Sequence, residues 1–208
     1  MAYENFTTYT EVDPSGYISV AENVITATDI DRDVDTYVRK DFTASHFGDI
    51  EHLLKGSCSS IAANAMTSIW MLTADEATHS IADADSGTDG IAISINWTAA
   101  NERIYFQNFE ADTSDFMEFD APPVTYYFTV KRAGTTGSCK IYNDSGRTDL
   151  RDTLNLTLPN TQYRYMLPMV GYGAGGSATM SCTSEYLDLQ EAPPPSGGSM
   201  QPIKYWGT

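Results

Sequence analysis

Positive charge is scarce in this sequence. Twelve Lys and Arg stand against 28 Asp and Glu, a formal net charge of −16. A surface of that sign repels phosphate backbones and anionic headgroups, which argues against nucleic acid and membrane as partners. A basic partner, bound cations or plain solubility remain, and solubility is the ordinary reading. Cysteine is nearly as rare. Cys58, Cys139 and Cys182 are odd in number and form no CxxC pair, so neither a disulfide framework nor a zinc site is indicated. Cys139 and Cys182 fall inside alternating segments, where a buried thiol serves as a small apolar side chain. Long apolar runs are missing, and the opening MAYENFTTYT lacks a basic region followed by an apolar one. The expectation is therefore no signal peptide and no membrane span. The glycosylation triplets at Asn5, Asn96, Asn143 and Asn155 are then chance matches.

Histidine is limited to His46, His52 and His79, and no HExxH, Gly-x-Ser-x-Gly or Cys/His spacing is present. His52 alternates with Ile50 and Leu54 and reads as a hydrogen-bonded residue on a sheet face. Helical periodicity is absent too, except that residues 60–72 leave room for a short helix. What is there instead is period two. Ile91, Ile93, Ile95 and Trp97 share a face, as do Val124, Tyr126, Phe128 and Val130; Leu154, Leu156 and Leu158; and Ala178, Met180 and Cys182. About a dozen such strands, separated by turns such as Asp13-Pro14-Ser15-Gly16 and Gly134-Thr135-Thr136-Gly137, predict one all-β domain. The form expected is a two-sheet antiparallel jelly-roll sandwich, with a closed barrel as the alternative. Near the end of this pattern the inward parity changes from Met180 and Cys182 to Leu187 and Leu189. A slip of one residue turns every side chain over, so a bulge is predicted near Ser184–Tyr186.

Composition changes at residue 191. A Pro/Gly linker precedes a short apolar segment carrying Met200, Ile203, Tyr205 and Trp206. The division is thus 1–190 for the jelly roll and 191–208 for linker and docking tail, whose aromatics suit a partner interface.

Three passages then matter together: Asp35–Phe42 followed by Phe47–His52; Val124–Arg132; and Cys139–Asp144 with Leu154–Leu158. Their order and spacing resemble the concanavalin A-like, laminin-G-like jelly rolls of bacteriophage and environmental virus proteins, over roughly residues 10–190. The resemblance implies two curved sheets acting as a recognition or structural module. Relatives on this fold bind or hydrolyse glycans, so fold does not fix function.

A retaining glycosidase needs two carboxylates about 5–5.5 Å apart, but no E-x-D-x-E run is present. Glu118-Phe119-Asp120 breaks off at Pro122, and Glu185 and Asp188 have the wrong spacing. Catalytic residues are therefore expected to be none, and the protein is expected not to be an enzyme. Asp83, Asp85 and Asp89 have the spaced oxygens and nearby glycines of a calcium loop without the glutamate of an EF-hand, which makes Ca2+ the one candidate cofactor. Gly171–Gly176 opens no helix and reads as a surface loop, not a phosphate loop. Tyr105, Gln107, Tyr127 and Tyr142 fall on polar strand faces; such a face serves a glycan, a second core wall or a protein interface equally. The expected role is a virion module, made in the host cytoplasm and fastened to capsid or tail proteins through its tail, with homo-oligomers and host surface glycans as further partners. The alternative is a lectin-like carbohydrate binder, with a polysaccharide hydrolase behind it.

Overall fold

The computed structural model describes residues 3–85, 87, 89–97 and 101–190. Residues 191–208, with the expected linker and the tail residues Met200, Ile203, Tyr205 and Trp206, lie outside the described residues. The predicted alternation becomes fourteen strands among the described residues: β1 (Thr10–Val12), β2 (Ile18–Ala21), β3 (Val24–Asp31), β4 (Tyr37–Asp41), β5 (Ile50–Ile61), β6 (Met66–Thr73), β7 (Gly90–Trp97), β8 (Glu102–Asn108), β9 (Thr113–Glu118), β10 (Val124–Ala133), β11 (Thr136–Tyr142), β12 (Leu150–Thr157), β13 (Tyr165–Gly171) and β14 (Thr179–Asp188). One short helix, α1 (Ile81–Asp85), and a 3-10 turn at Phe6–Thr8 complete the set.

The strands form two seven-stranded antiparallel sheets. The first has the order β1-β4-β13-β6-β7-β8-β9 and the second β12-β11-β10-β5-β14-β3-β2. Strands successive in sequence are neighbours from β6 through β9, with α1 between β6 and β7, and from β10 through β12, while β5 and β14 are brought together from distant parts of the chain. This is the concanavalin A-like jelly-roll sandwich. The inward residues of both sheets make one core, from Ile25 and Leu54 through Trp70, Ile93 and Phe106 to Phe128 and Met169.

A second apolar cluster lies on the outer side of the first sheet. Ile81 and Ala84, one helical turn apart on α1, pack with Met71, Ala92, Tyr165 and Leu167. This layer explains where the helix was misplaced. β6 is buried along its whole length, so its two apolar faces read as a continuous run with no period to identify them. Residues 60–72 are accordingly strand, turn and strand, and the helix falls at the start of the stretch expected to be a calcium loop.

The central strand β13 carries Pro168. Its register against β4 shifts between Met166 and Met169. A residue with no N–H is tolerated in a sheet interior at such an irregularity. The bulge foreseen in the last strand is present: the β14·β5 register shifts between Glu185 and Asp188, and Tyr186 has φ +53°. Leu187 and Leu189 return to the interior while Tyr186 is left 44% exposed on the outer face.

Candidate functional site

The outer face of the second sheet is not covered by a helix, and its register builds a grid. Lys55, Tyr127 and Tyr142 stand side by side across β5, β10 and β11; next come Leu53, Thr129 and Lys140; then Glu51, Lys131 and Ser138. Neighbours within a row are about 4.8 Å apart in backbone and successive rows about 7 Å. Two depressions of about 250 and 370 Å³ cover this grid and share Leu53 and Arg147. Together they are in the size range of ligand sites. A third recess, lined by Phe47, Asp49, Glu51, His52, Leu189 and Gln190, shares Glu51 with the second depression. At the other end the bulge projects Tyr186, whose ring meets Tyr3 at 5.2 Å.

Arg147 comes from the β11–β12 loop. Asp144 shapes that loop by accepting the N–H groups of Thr148 at 2.9 Å and Asp149 at 2.7 Å, bonds that lower its carboxyl pKa. Arg147 adopts φ +54° there. Its Nη2 lies 3.5 and 3.4 Å from the carbonyl oxygens of Leu54 and Phe128, so the guanidinium lies over the strands. Its Nε is buried without a hydrogen-bond partner. Lys55 pairs with Glu185 at 2.8 Å and Lys131 with Glu51 at 3.1 Å. Among the described residues Lys140 and Arg147 form no ion pair. The sequence signal for these groups was the rarity of lysine: three of the chain's five lysines are in this grid.

The four residues expected to form a glycan platform divide into two pairs. Tyr127 and Tyr142 are direct cross-strand partners in the groove. Tyr105 and Gln107 are on β8, in the opposite sheet. Tyr105 packs on Phe116 at 5.5 Å, and Gln107 lines a small recess with Asp85 and Asp112. Alternation assigns a residue to a face of its strand but not to a sheet, which is why the two pairs looked alike.

The three aspartates expected to hold calcium are not gathered either. Asp83 is grouped with Asp35 and His79, ligand atoms within 4.8 Å of one another. Asp85 accepts from the Tyr172 hydroxyl at 3.4 Å, and the backbone carbonyl of Asp89 accepts from Thr73 at 2.7 Å. Asp83 Oδ2 accepts the N–H groups of His79 and Ser80 at 3.0 and 3.1 Å. Capping of a turn thus accounts for its position. An imidazole in the set also fits poorly with calcium's preference for all-oxygen ligands.

His52 is 1% exposed, and its Nδ1 accepts from Trp70 Nε1 at 3.1 Å. Burial holds its pKa down at about 3, so it is a neutral core residue. Glu118 and Asp120 bind separate arginines, Arg103 at 3.1 Å and Arg151 at 3.3 Å. All three cysteines are free and buried.

No protein-family model and no curated protein matches the sequence. Solved structures of the same fold do. The exoplasmic/lumenal domain of VIP36, in its Ca2+/Man3GlcNAc-bound form, aligns with a TM-score of 0.54 at 9% identity, covering 92% of this chain and 89% of that one. The alginate lyase from Klebsiella pneumoniae gives 0.53 at 10% identity, covering 86% of each chain. The Bacillus licheniformis β-glucanase gives 0.53 at 12% identity, covering 89% and 95%. These likenesses establish the fold. They also correct the expectation that the protein is not an enzyme. That expectation rested on a missing E-x-D-x-E run, and the fold is shared by a lyase as well as a glucanase, so one absent carboxylate motif does not exclude catalysis.

Proposed function

We propose that this protein recognises carbohydrate in the groove on the outer face of its second sheet. The observation that carries the reading is the cross-strand pair Tyr127–Tyr142 set among Lys55, Thr129, Lys140 and Arg147. Sugars offer apolar ring faces to aromatic side chains and hydroxyls to polar groups at the rim, and this grid supplies both. Support also comes from the fold's company: a domain solved with Man3GlcNAc, an alginate lyase and a β-glucanase. The test is a glycan array probed with and without calcium, with product release followed on the polysaccharides that bind. Tyr127→Ala and Tyr142→Ala should each weaken binding by about tenfold, as expected for loss of ~1.4 kcal/mol of ring contact. Tyr105→Ala, on the other sheet, should leave it unchanged. No bound glycan under either condition would sink the proposal.

A second reading concerns where the domain is held. The composition of residues 191–208, a Pro/Gly stretch before Met200, Ile203, Tyr205 and Trp206, favours a tether that fastens the jelly roll to a neighbouring virion protein. Deleting residues 192–208 should then prevent incorporation into particles while leaving the fold's circular dichroism intact. Normal incorporation of the truncated chain would refute the tether.

A further inference from the structure

We infer that the polysaccharide this groove takes is anionic, bearing carboxylate or sulfate on its sugar rings; the inference rests on the carbohydrate reading above and specifies its ligand. On a chain of net charge −16, Lys55, Lys131, Lys140 and Arg147 converge on one face. Among the described residues two carboxylates answer these four cations, Glu185 on Lys55 and Glu51 on Lys131.

The register fixes the arrangement. Lys140 stands one row from Tyr142 on β11, and Lys131 is diagonal to it on β10, about 7–8 Å away in backbone. Arg147 lies over the Leu54–Phe128 pair, between the Tyr127 and Thr129 rows. Positive charge therefore flanks the aromatic pair on the same face, where a ring stacked on tyrosine would direct its substituents.

The remaining acids of the loop are already engaged. Asp144 accepts the loop's own N–H groups and Asp149 accepts from Asn143 at 3.0 Å. Lys140 and Arg147 have no carboxylate partner among the described residues, and Arg147 Nε has no acceptor at all. An unpaired buried donor is costly and calls for a partner. Arg and Lys are suited to carboxylate and sulfate oxygens through charge-assisted hydrogen bonds. The protein's overall negative charge does not forbid this, because interactions between exposed charges fade beyond about 8–10 Å at physiological ionic strength and the near cations dominate. The groove is open and runs from Tyr3 and Tyr186 to Lys131 and Ser138, a shape that fits a chain of sugars better than one ring.

The test is calorimetric titration of the full chain with four probes: polygalacturonate oligomers, their methyl esters, a sulfated galactan, and a single-stranded oligonucleotide of matched charge. At low salt at least one of the two anionic glycans should bind about tenfold or more tighter than the ester, with the advantage shrinking as salt rises. Which one binds assigns carboxylate or sulfate as the charged group. Lys140→Gln should weaken binding of that glycan about three- to tenfold and Lys140→Glu more, in each case by a larger factor than for the ester. Lys140 is exposed, so these variants fold. Binding of the ester as tightly as both anionic glycans would overturn the anionic inference while leaving carbohydrate recognition standing. Binding of the oligonucleotide as tightly as the glycans would overturn it as mere polyanion attraction. Binding of none of the glycans would remove both proposals.

Discussion

Acidification should destabilise the fold through one residue, His52. Its imidazole is sealed between the sheets, and its Nδ1 lone pair is occupied by the Trp70 indole N–H at 3.1 Å. A proton cannot be added there without breaking that bond and placing a charge in the core. Burial, with a smaller contribution from His46, holds the folded pKa at about 3 against an ordinary 6.5. Between those values the unfolded chain binds a proton that the folded chain does not. Stability therefore rises with pH through this window and is lost as pH falls below 6.5. Each pH unit of the window is worth up to about 1.4 kcal/mol, and the integrated loss between about pH 7 and pH 5 is ~2 kcal/mol. Urea unfolding of the wild type and of His52→Gln at about pH 7, 6 and 5 isolates the effect, because every other titratable group is common to both proteins and cancels in the difference. The variant should be less stable at neutral pH but lack that ~2 kcal/mol of pH dependence. An identical slope in the two proteins would show that His52 charges freely in the folded state, and the reasoning would fail.

Other outcomes follow from the packing and the groove. Gly56→Ala should cost about 1–3 kcal/mol, because a Cβ would meet Ile69 Cδ1 at 2.5 Å and Phe128 Cε2 at 3.1 Å; a change in urea midpoint of the opposite sign would contradict the packing. Trp70→Phe should lose about 1–3 kcal/mol for the orphaned His52 nitrogen, in addition to the volume removed, measured by the same titration. A disulfide reagent should leave all three thiols unmodified in the folded protein and modify them in urea, since each is buried and burial raises their pKa values, that of Cys58 to about 12. Asp144→Ala should weaken binding of anionic glycan much as loss of Arg147 does, because Asp144 holds the loop that presents it; calorimetry on the two variants makes the comparison.

The fold was legible in the sequence because a β-sandwich writes itself as alternation. Segments such as Val124–Lys131 and Leu154–Thr157 each have one face in the core and one outside, and their side chains must match that period. The same logic located the bulge: the parity change between Cys182 and Leu187 admits no other geometry once both are buried. Legibility weakened where both faces are covered. β6 and β13 are buried throughout, so alternation does not tell their two faces apart, and α1 was hidden in a stretch whose aspartates suggested a calcium loop.

The candidate site was half legible for a related reason. Sequence assigns Tyr105 and Tyr127 equally to outward positions, yet they belong to sheets that face away from each other. Register is a property of paired strands. It alone put Tyr142 beside Tyr127 and Lys140 beside Thr129, and it alone brought Arg147 from a distant turn over the backbone of β5 and β10. The sequence by itself determined that the chain alternates, where it turns, which residues face inward and that its positive charge is scarce, because these are local or compositional properties. Which outward residues share a surface, and hence that the scarce cations meet two tyrosines in one groove, was decided by the tertiary structure alone, because that depends on contacts between segments far apart in sequence, as in Lys55 with Glu185.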